Sequence, residues 1–497
     1  MRTVTTLVIA ALILTGSSCK KFLATYSQNQ TFLQSVDDLK EVLLGEGYAA
    51  RGQFWGNLAF MDDDAVHNPS PYSTSRLFEP FGIHFWQQVP EVTSEGKLYS
   101  YYADTYVMAY KKIAALNTVL FNIPLLREKN APEEKLRQLS GEAHVLRAYY
   151  YFLLVNIYGK PYRAATAASD YGVPLKISSE IQYTPFQRAS VQQVYDQIET
   201  DLLDAEKELN GFNETSVVRG NQALAQTLLS RVYLHQEKYE KVVTYADKVI
   251  AKQYRLSDMN AWVSGKPFLT RVSPELIFTI GEARDNITDK MKELFSFVYD
   301  IETYKVSEDL LGIFSQKDLR WSVYFKKAGN GDFLARKTGE QTQTDLADLG
   351  SFRLPELYLN KAEALAMLNR NEEAIATMQE LRKYRFKPQD LTAIDLSGAP
   401  LIDFVRNERR RELCFEFHRW FDLRRYGVNS KHPFGKIIRH PSIGTDGMGG
   451  SYVLGYYELK PYTEEPSAYV LSIPTAEIEF GQGVITNEAR PNRPLIQ

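Results

Sequence analysis

Two stretches of this chain carry the same interrupted helical pattern, and that pattern limits the folds open to it. From Asn221 to Lys252, Leu224, Leu228, Tyr233 and Leu234 recur at helical spacing, a polar break falls at Gln236 to Lys238, and Tyr239, Val243, Ala246 and Ile250 resume the period. From Leu354 to Tyr384 the order repeats, with Leu357, Ala362, Leu365 and Leu368, a break at Asn369 to Asn371, then Ala374, Met378 and Leu381. Each stretch is close to the ~34-residue period of tetratricopeptide units, and plain helical hairpins fit nearly as well. Met108 to Leu126 and Leu136 to Tyr158 read as a further antiparallel pair, with Leu139, Ala143, Leu146, Tyr150, Leu153 and Ile157 on one face. The expected fold class is mainly α: a tetratricopeptide-like helical-repeat scaffold with a few short strands. Long irregular insertions, chiefly 45–106, 254–350 and 432–466, interrupt it, and such segments often carry function.

The densest charge pattern is NERRRELCFEFHRWFDLRRYG, Asn407 to Gly427. Glu408, Glu412 and Glu416 recur every fourth residue and share a helical face, with Arg411 and Arg419 each three residues beyond a Glu. Leu413, Phe417, Trp420 and Phe421 fall at core-facing spacing, so one amphipathic helix is expected, ending in a left-handed turn at Gly427. Its charges read as ion pairs bracing the scaffold, and Cys414 as buried and unreactive.

This string resembles the late hallmark of the SusD/RagB family, in which ERRxEL is followed by an aromatic, an Arg, and DLRR before an aromatic and Gly. Gly141 to Tyr162, with Arg147 and Ala148 before a run of aromatics and Tyr158, Gly159 and Pro161 at its end, resembles the family's early helix. Tyr469 to Gly483, with Ile473, Pro474 and a Glu-Ile pair, resembles its closing segment. Three blocks in the right order identify a member.

At 497 residues and 44% hydrophobic content the chain can bury a sizeable core, and its formal charge of −3, evenly mixed, leaves no basic footprint for nucleic acid. Arg2, the apolar run Leu7 to Leu14 and the small residues Gly16, Ser17 and Ser18 lead to Cys19, the arrangement of a lipoprotein signal in which that cysteine is acylated. The expected organisation is therefore a signal peptide at 1–18 and a lipid-anchored tether at 19–35. A single SusD-like α-helical domain at 36–497 follows, with an early part to 215 and the repeats and insertions from 216. With Cys19 acylated, Cys414 is the one thiol left and no intramolecular disulfide can form.

Familiar catalytic, dinucleotide and P-loop motifs are absent, and the seven His lack metal-ligand spacing, so neither metal nor cofactor is expected. Asp62, Asp63 and Asp64 form a compact acidic cluster that lacks the full ligand alternation of a calcium loop and reads as a solvated turn. Gly447 to Ser451 reads as a flexible loop. Four of the five Trp, namely Trp55, Trp86, Trp262 and Trp321, lie outside the repeat helices. Flat rings offer stacking area with little rotamer entropy to lose, which suits sugar rings and cores alike. The family resemblance places ligand contacts on an early loop and a middle insertion, which here selects Tyr72, Arg76, Trp86 and Trp321 as candidate ligand-binding residues. It implies a non-catalytic, surface-exposed outer-membrane lipoprotein that binds an oligosaccharide or polysaccharide and delivers it to a SusC-like TonB-dependent transporter. The alternative it leaves open is a RagB-like peptide-binding lid; an exported glycan-active enzyme or a ligand-free scaffold fits less well.

Overall fold

A computed structural model describes residues 33–49, 57–58, 60–180, 184–212, 216–281, 290–291, 302–337, 345–348 and 350–497. Cys19 and Trp55 lie outside these residues.

The longer helices are α1 (Val36–Val42), α2 (Asp104–Glu128), α3 (Glu133–Tyr158), α4 (Val191–Glu208), α5 (Gln222–His235), α6 (Tyr239–Ile250), α7 (Leu354–Met367), α8 (Asn371–Arg382), α9 (Gly398–Leu413) and α10 (Arg419–Gly427). Local chemistry sets their starts. Ser190 and Gln193 form a capping box on α4, Asn221 accepts the Leu224 N–H on α5, and Pro355 lies in the first turn of α7. Three helix pairs, α2–α3, α5–α6 and α7–α8, turn by one device. Asn130, Glu237 and Asn369 take left-handed φ values of 60°, 57° and 61°, and the next N–H reaches back to Leu126 O, Tyr233 O and Leu365 O at 3.1, 2.9 and 2.9 Å. This is the Schellman turn, which satisfies orphan helix-end carbonyls and folds the chain back. The expected repeats at 221–252 and 354–384 are thus present, with their breaks where the sequence put them.

Helix α3 packs between α2 and α4, and α7 lies against α6, α8 and α9. Arg147 of α3, buried, binds Asp201 of α4 in a two-pronged pair at 2.9 and 2.6 Å and Asn117 of α2 at 2.8 Å, which fixes the three helices at one point. A continuous apolar core runs from Leu39 to Ile485.

The strands form antiparallel pairs. They are β1 (Ala65–His67) with β3 (Tyr304–Val306), β2 (Leu276–Ile280) with β6 (Gly350–Arg353), β4 (Phe325–Lys327) with β5 (Phe333–Ala335), and β7 (Ile438–Thr445) with β8 (Ser451–Leu459). The last pair is a hairpin with a bulge at Ser442/Ile443, and the flexible loop expected at Gly447 to Ser451 is instead its turn, 446–450, followed by Ser451 as the first residue of β8. Gly447 and Gly449 there have φ of 75° and 110°, which side chains rarely tolerate.

Candidate functional site

The charge-dense segment is two helices rather than one. α9 stops at Leu413, and Phe415 and Phe417, both with φ of 62°, turn the chain before α10 begins at Arg419. The turn lets carboxylates on both sides of it converge on one set of cations. Glu412 meets Arg385 at 2.8 and 3.0 Å, Arg353 at 3.1 Å and Arg320 at 3.2 Å; Glu408 meets Arg320 and Arg411; Glu416 and Glu275 meet Arg353. Lys337 donates to the carbonyls of Glu412 and Cys414, whose helical partners the turn has removed. These side chains are buried, apart from the half-buried Arg411. Burial pushes the Glu412 carboxyl up, but Arg385 and Arg353 outweigh it and hold it well below the usual range. Gly427 differs from expectation too: a Cβ there would come within 2.6 Å of Tyr462 Cβ, so the position needs glycine for close packing rather than for a left-handed turn.

The acidic triplet is buried, not a solvated turn. Asp63 pairs with Arg419 at 2.6 and 2.8 Å and with Lys436, while Asp64 pairs with Arg410 at 2.8 Å. Burial raises Asp63, and the cations Arg410 and Arg419 then bring it well below the carboxylate range; Asp62 is pushed well above it by burial and by Asp64 and Asp63. The late hallmark thus clamps the early loop, and the loop presents its other side from a rigid base.

Trp86 belongs to that base. It is 1% exposed, its indole N–H donates to Met61 O at 2.8 Å, and its ring lies 4.3 Å from that of His440. An exposed platform at Trp86 is therefore corrected to a core position. His440 in turn spans the His84 and Asp62 carbonyls at 2.8 and 3.0 Å and stacks on His84 at 4.2 Å. Trp321, half-buried, sits in a different cluster, edge-on to Phe333 at 5.1 Å and Phe325 at 5.8 Å.

Tyr72 and Arg76 remain at the surface. Arg76 is exposed, and its backbone carbonyl takes the Ser94 hydroxyl. Tyr72 is half-buried and lies against the β7–β8 turn, where a Cβ on Gly449 would meet its ring at 3.3 Å. Gly449 N–H donates to Pro71 O and the Thr445 hydroxyl to Ser73 O, which ties the loop to the hairpin. β8 adds rings that the sequence had not singled out: Tyr452 is 55% and Tyr456 41% exposed, beside exposed Val453 and Leu454. The β-prone residues Tyr452, Val453, Tyr456 and Tyr457 were the available signal, masked by the neighbouring glycines. Tyr72 lies against the β7–β8 turn, Tyr452 and Tyr456 stand exposed on β8, and Arg76 is exposed four residues beyond Tyr72.

Solved structures share this architecture. A SusD superfamily protein from Bacteroides thetaiotaomicron superposes with a TM-score of 0.70 over 90% of this chain and 99% of its own, at 20% identity. A SusD-like carbohydrate binding protein from Bacteroides vulgatus does so at 0.63 over 90% and 97%, at 18% identity. At such identity the likeness defines the class of fold. Residues 27–234 match the family described as "Starch-binding associating with outer membrane", and residues 316–488 match the SusD family. The SusD-like proteins P38 and P2 of Formosa agariphila are 24% and 23% identical over 58% and 65% of this chain, which spans 66% and 71% of their lengths. The chain belongs to the SusD/RagB family.

Proposed function

We propose that this protein is a lipid-anchored, surface-exposed outer-membrane protein that binds a glycan nutrient and passes it to a SusC-like TonB-dependent transporter. The match of residues 27–234 to a family described as starch-binding and associating with the outer membrane carries this reading. In this reading Tyr72 and Arg76 of the early loop and Tyr452 and Tyr456 of β8 make one tyrosine face, and the clamped loop and the hairpin support it by offering rings on a backbone held rigid from behind. Among the described residues no helix is long and apolar enough to cross a membrane; in this reading the attachment is a lipid on Cys19. The protein contributes affinity rather than bond cleavage.

The test is calorimetric titration of the mature chain carrying Cys19→Ala with neutral oligosaccharides such as maltoheptaose and with peptide pools. Saturable glycan binding, weakened about tenfold by Tyr452→Ala or Arg76→Ala, is expected. Saturation by peptides alone would replace the glycan by a peptide, and binding of neither would reject nutrient capture. Cys19→Ala in the producing cell should abolish lipid labelling; persistent labelling would refute the anchor.

A further inference from the structure

A cleft of about 1290 Å³ lies apart from the tyrosine face, walled by residues 160–166 after α3, the α5–α6 turn at 236–241, residues 427–431 after α10, and Tyr462. It exceeds the ~300–1,000 Å³ of sites for single small molecules, so it has room for several linked units. Its rings are unsuited to stacking: Tyr162 and Tyr239 are buried, with their hydroxyls held by Gln192 and Asn429. What the walls offer is charge. Lys238 and Lys241 share the single carboxylate of Glu199, each at 3.1 Å. Lys431 reaches the Met367 carbonyl at 2.9 Å and lies 5.3 Å over the Tyr239 ring, and neither it nor the exposed Arg163 has a carboxylate beside it among the described residues. On the acidic side, Asp170 and Glu488 stand 3.5 and 2.8 Å from Lys160, Glu237 takes the Ser430 N–H and hydroxyl, and Glu240 faces Arg370, itself paired with Glu373, at 3.4 Å. Behind Tyr462 the guanidinium of Arg424 is buried on the Gly159 carbonyl, with its Nε and Nη1 unpartnered and no carboxylate in reach. Positive charge is thus left over.

A second observation points into the same place. Gln236, on the cleft wall at the α5–α6 turn, is only 5% exposed, and neither its carboxamide nitrogen nor its oxygen has a hydrogen-bond partner. A buried carboxamide left without partners is unfavourable, and a small swing toward the cleft would let it donate to one ligand oxygen and accept from one hydroxyl.

We propose that this cleft binds an acidic oligosaccharide, one bearing carboxylates or sulfate esters, with Arg163 and Lys431 attracting its charge and Gln236 pairing with its hydroxyls. This site is independent of the tyrosine face. The test titrates the full chain, in detergent, with tetragalacturonate and with a sulfated κ-carrageenan tetrasaccharide, using maltotetraose as the neutral competitor. At least one acidic probe should saturate, and maltotetraose should not displace it. The double variant Arg163→Glu/Lys431→Glu should weaken binding about tenfold or more, as should raised salt. Gln236→Leu should weaken it several-fold without lowering the melting temperature, which a purely structural role would not produce, and Tyr452→Ala should leave it unchanged. Which probe saturates decides between carboxylate and sulfate. Failure of both acidic probes, binding that survives the double charge reversal, or loss of binding in Tyr452→Ala would each overturn the proposal, and none of these outcomes touches the neutral-glycan test of the other face.

Discussion

Trp86 shows how a single ring can be read in two ways. Buried against His440 and hydrogen-bonded to Met61, it holds the early loop from beneath, so Trp86→Ala should cost about 3–5 kcal/mol of stability in urea unfolding, in the range of large-to-small core changes. Glycan affinity lost in proportion to folding would agree; normal stability would return Trp86 to the surface. The histidines around it set a pH dependence. Burial lowers His440 to about 4, outweighing its two carbonyl acceptors, and burial with His440 nearby puts His84 well below its usual range. For a histidine whose folded pKa is depressed, the unfolded chain binds more protons between the two values, so stability is lost as pH falls from about 6.5 toward 4. His440 alone accounts for about 3 kcal/mol over that window. Unfolding midpoints from pH 7 to 4 should fall accordingly, and His440→Gln should flatten the slope; an unchanged slope would show that His440 does not drive it.

At the level of elements, Gly427 sits where α10 meets Tyr462. Gly427→Ala must displace backbone or ring from a 2.6 Å approach and should cost about 1–3 kcal/mol, measurable as a lower thermal midpoint; a neutral result would mean the two segments can part freely. The helix pairs were legible because their apolar period and polar breaks are local, and Glu237 and Asn369 fall inside those breaks. α4 was not singled out, although Ser190 and Gln193 spell its start. The turn at Phe415 and Phe417 could not be seen, since Cys414 to His418 holds no glycine or proline to mark a break, and its low helix propensity is a weak signal beside the contacts Arg353 and Lys337 make there from distant segments. The triplet at Asp62 misled for a similar reason: its counter-ions stand more than three hundred positions away at Arg410 and Arg419. Of the residues proposed to meet the ligand, Tyr72 and Arg76 were selected by region from the sequence, and Tyr452 was added only when the hairpin was seen.

Across the whole molecule, those long-range pairs join the early and late parts, and the core is continuous from Leu39 to Ile485. Unfolding should therefore be one cooperative event, with tryptophan fluorescence and far-ultraviolet dichroism giving the same midpoint; two separated midpoints would divide the chain into independent units. Cys414 offers a finer view of that event. It lies in the turn between α9 and α10 at 1% exposure, with burial pushing its thiol up to about 12. In a Cys19→Ala background it is the sole thiol, so an alkylating reagent has nothing to attack until the brace opens. The rate of its modification then becomes a clock: matching the global unfolding rate would show the clamp and the fold failing together, and a faster rate would expose a hinge at the centre of the charge network.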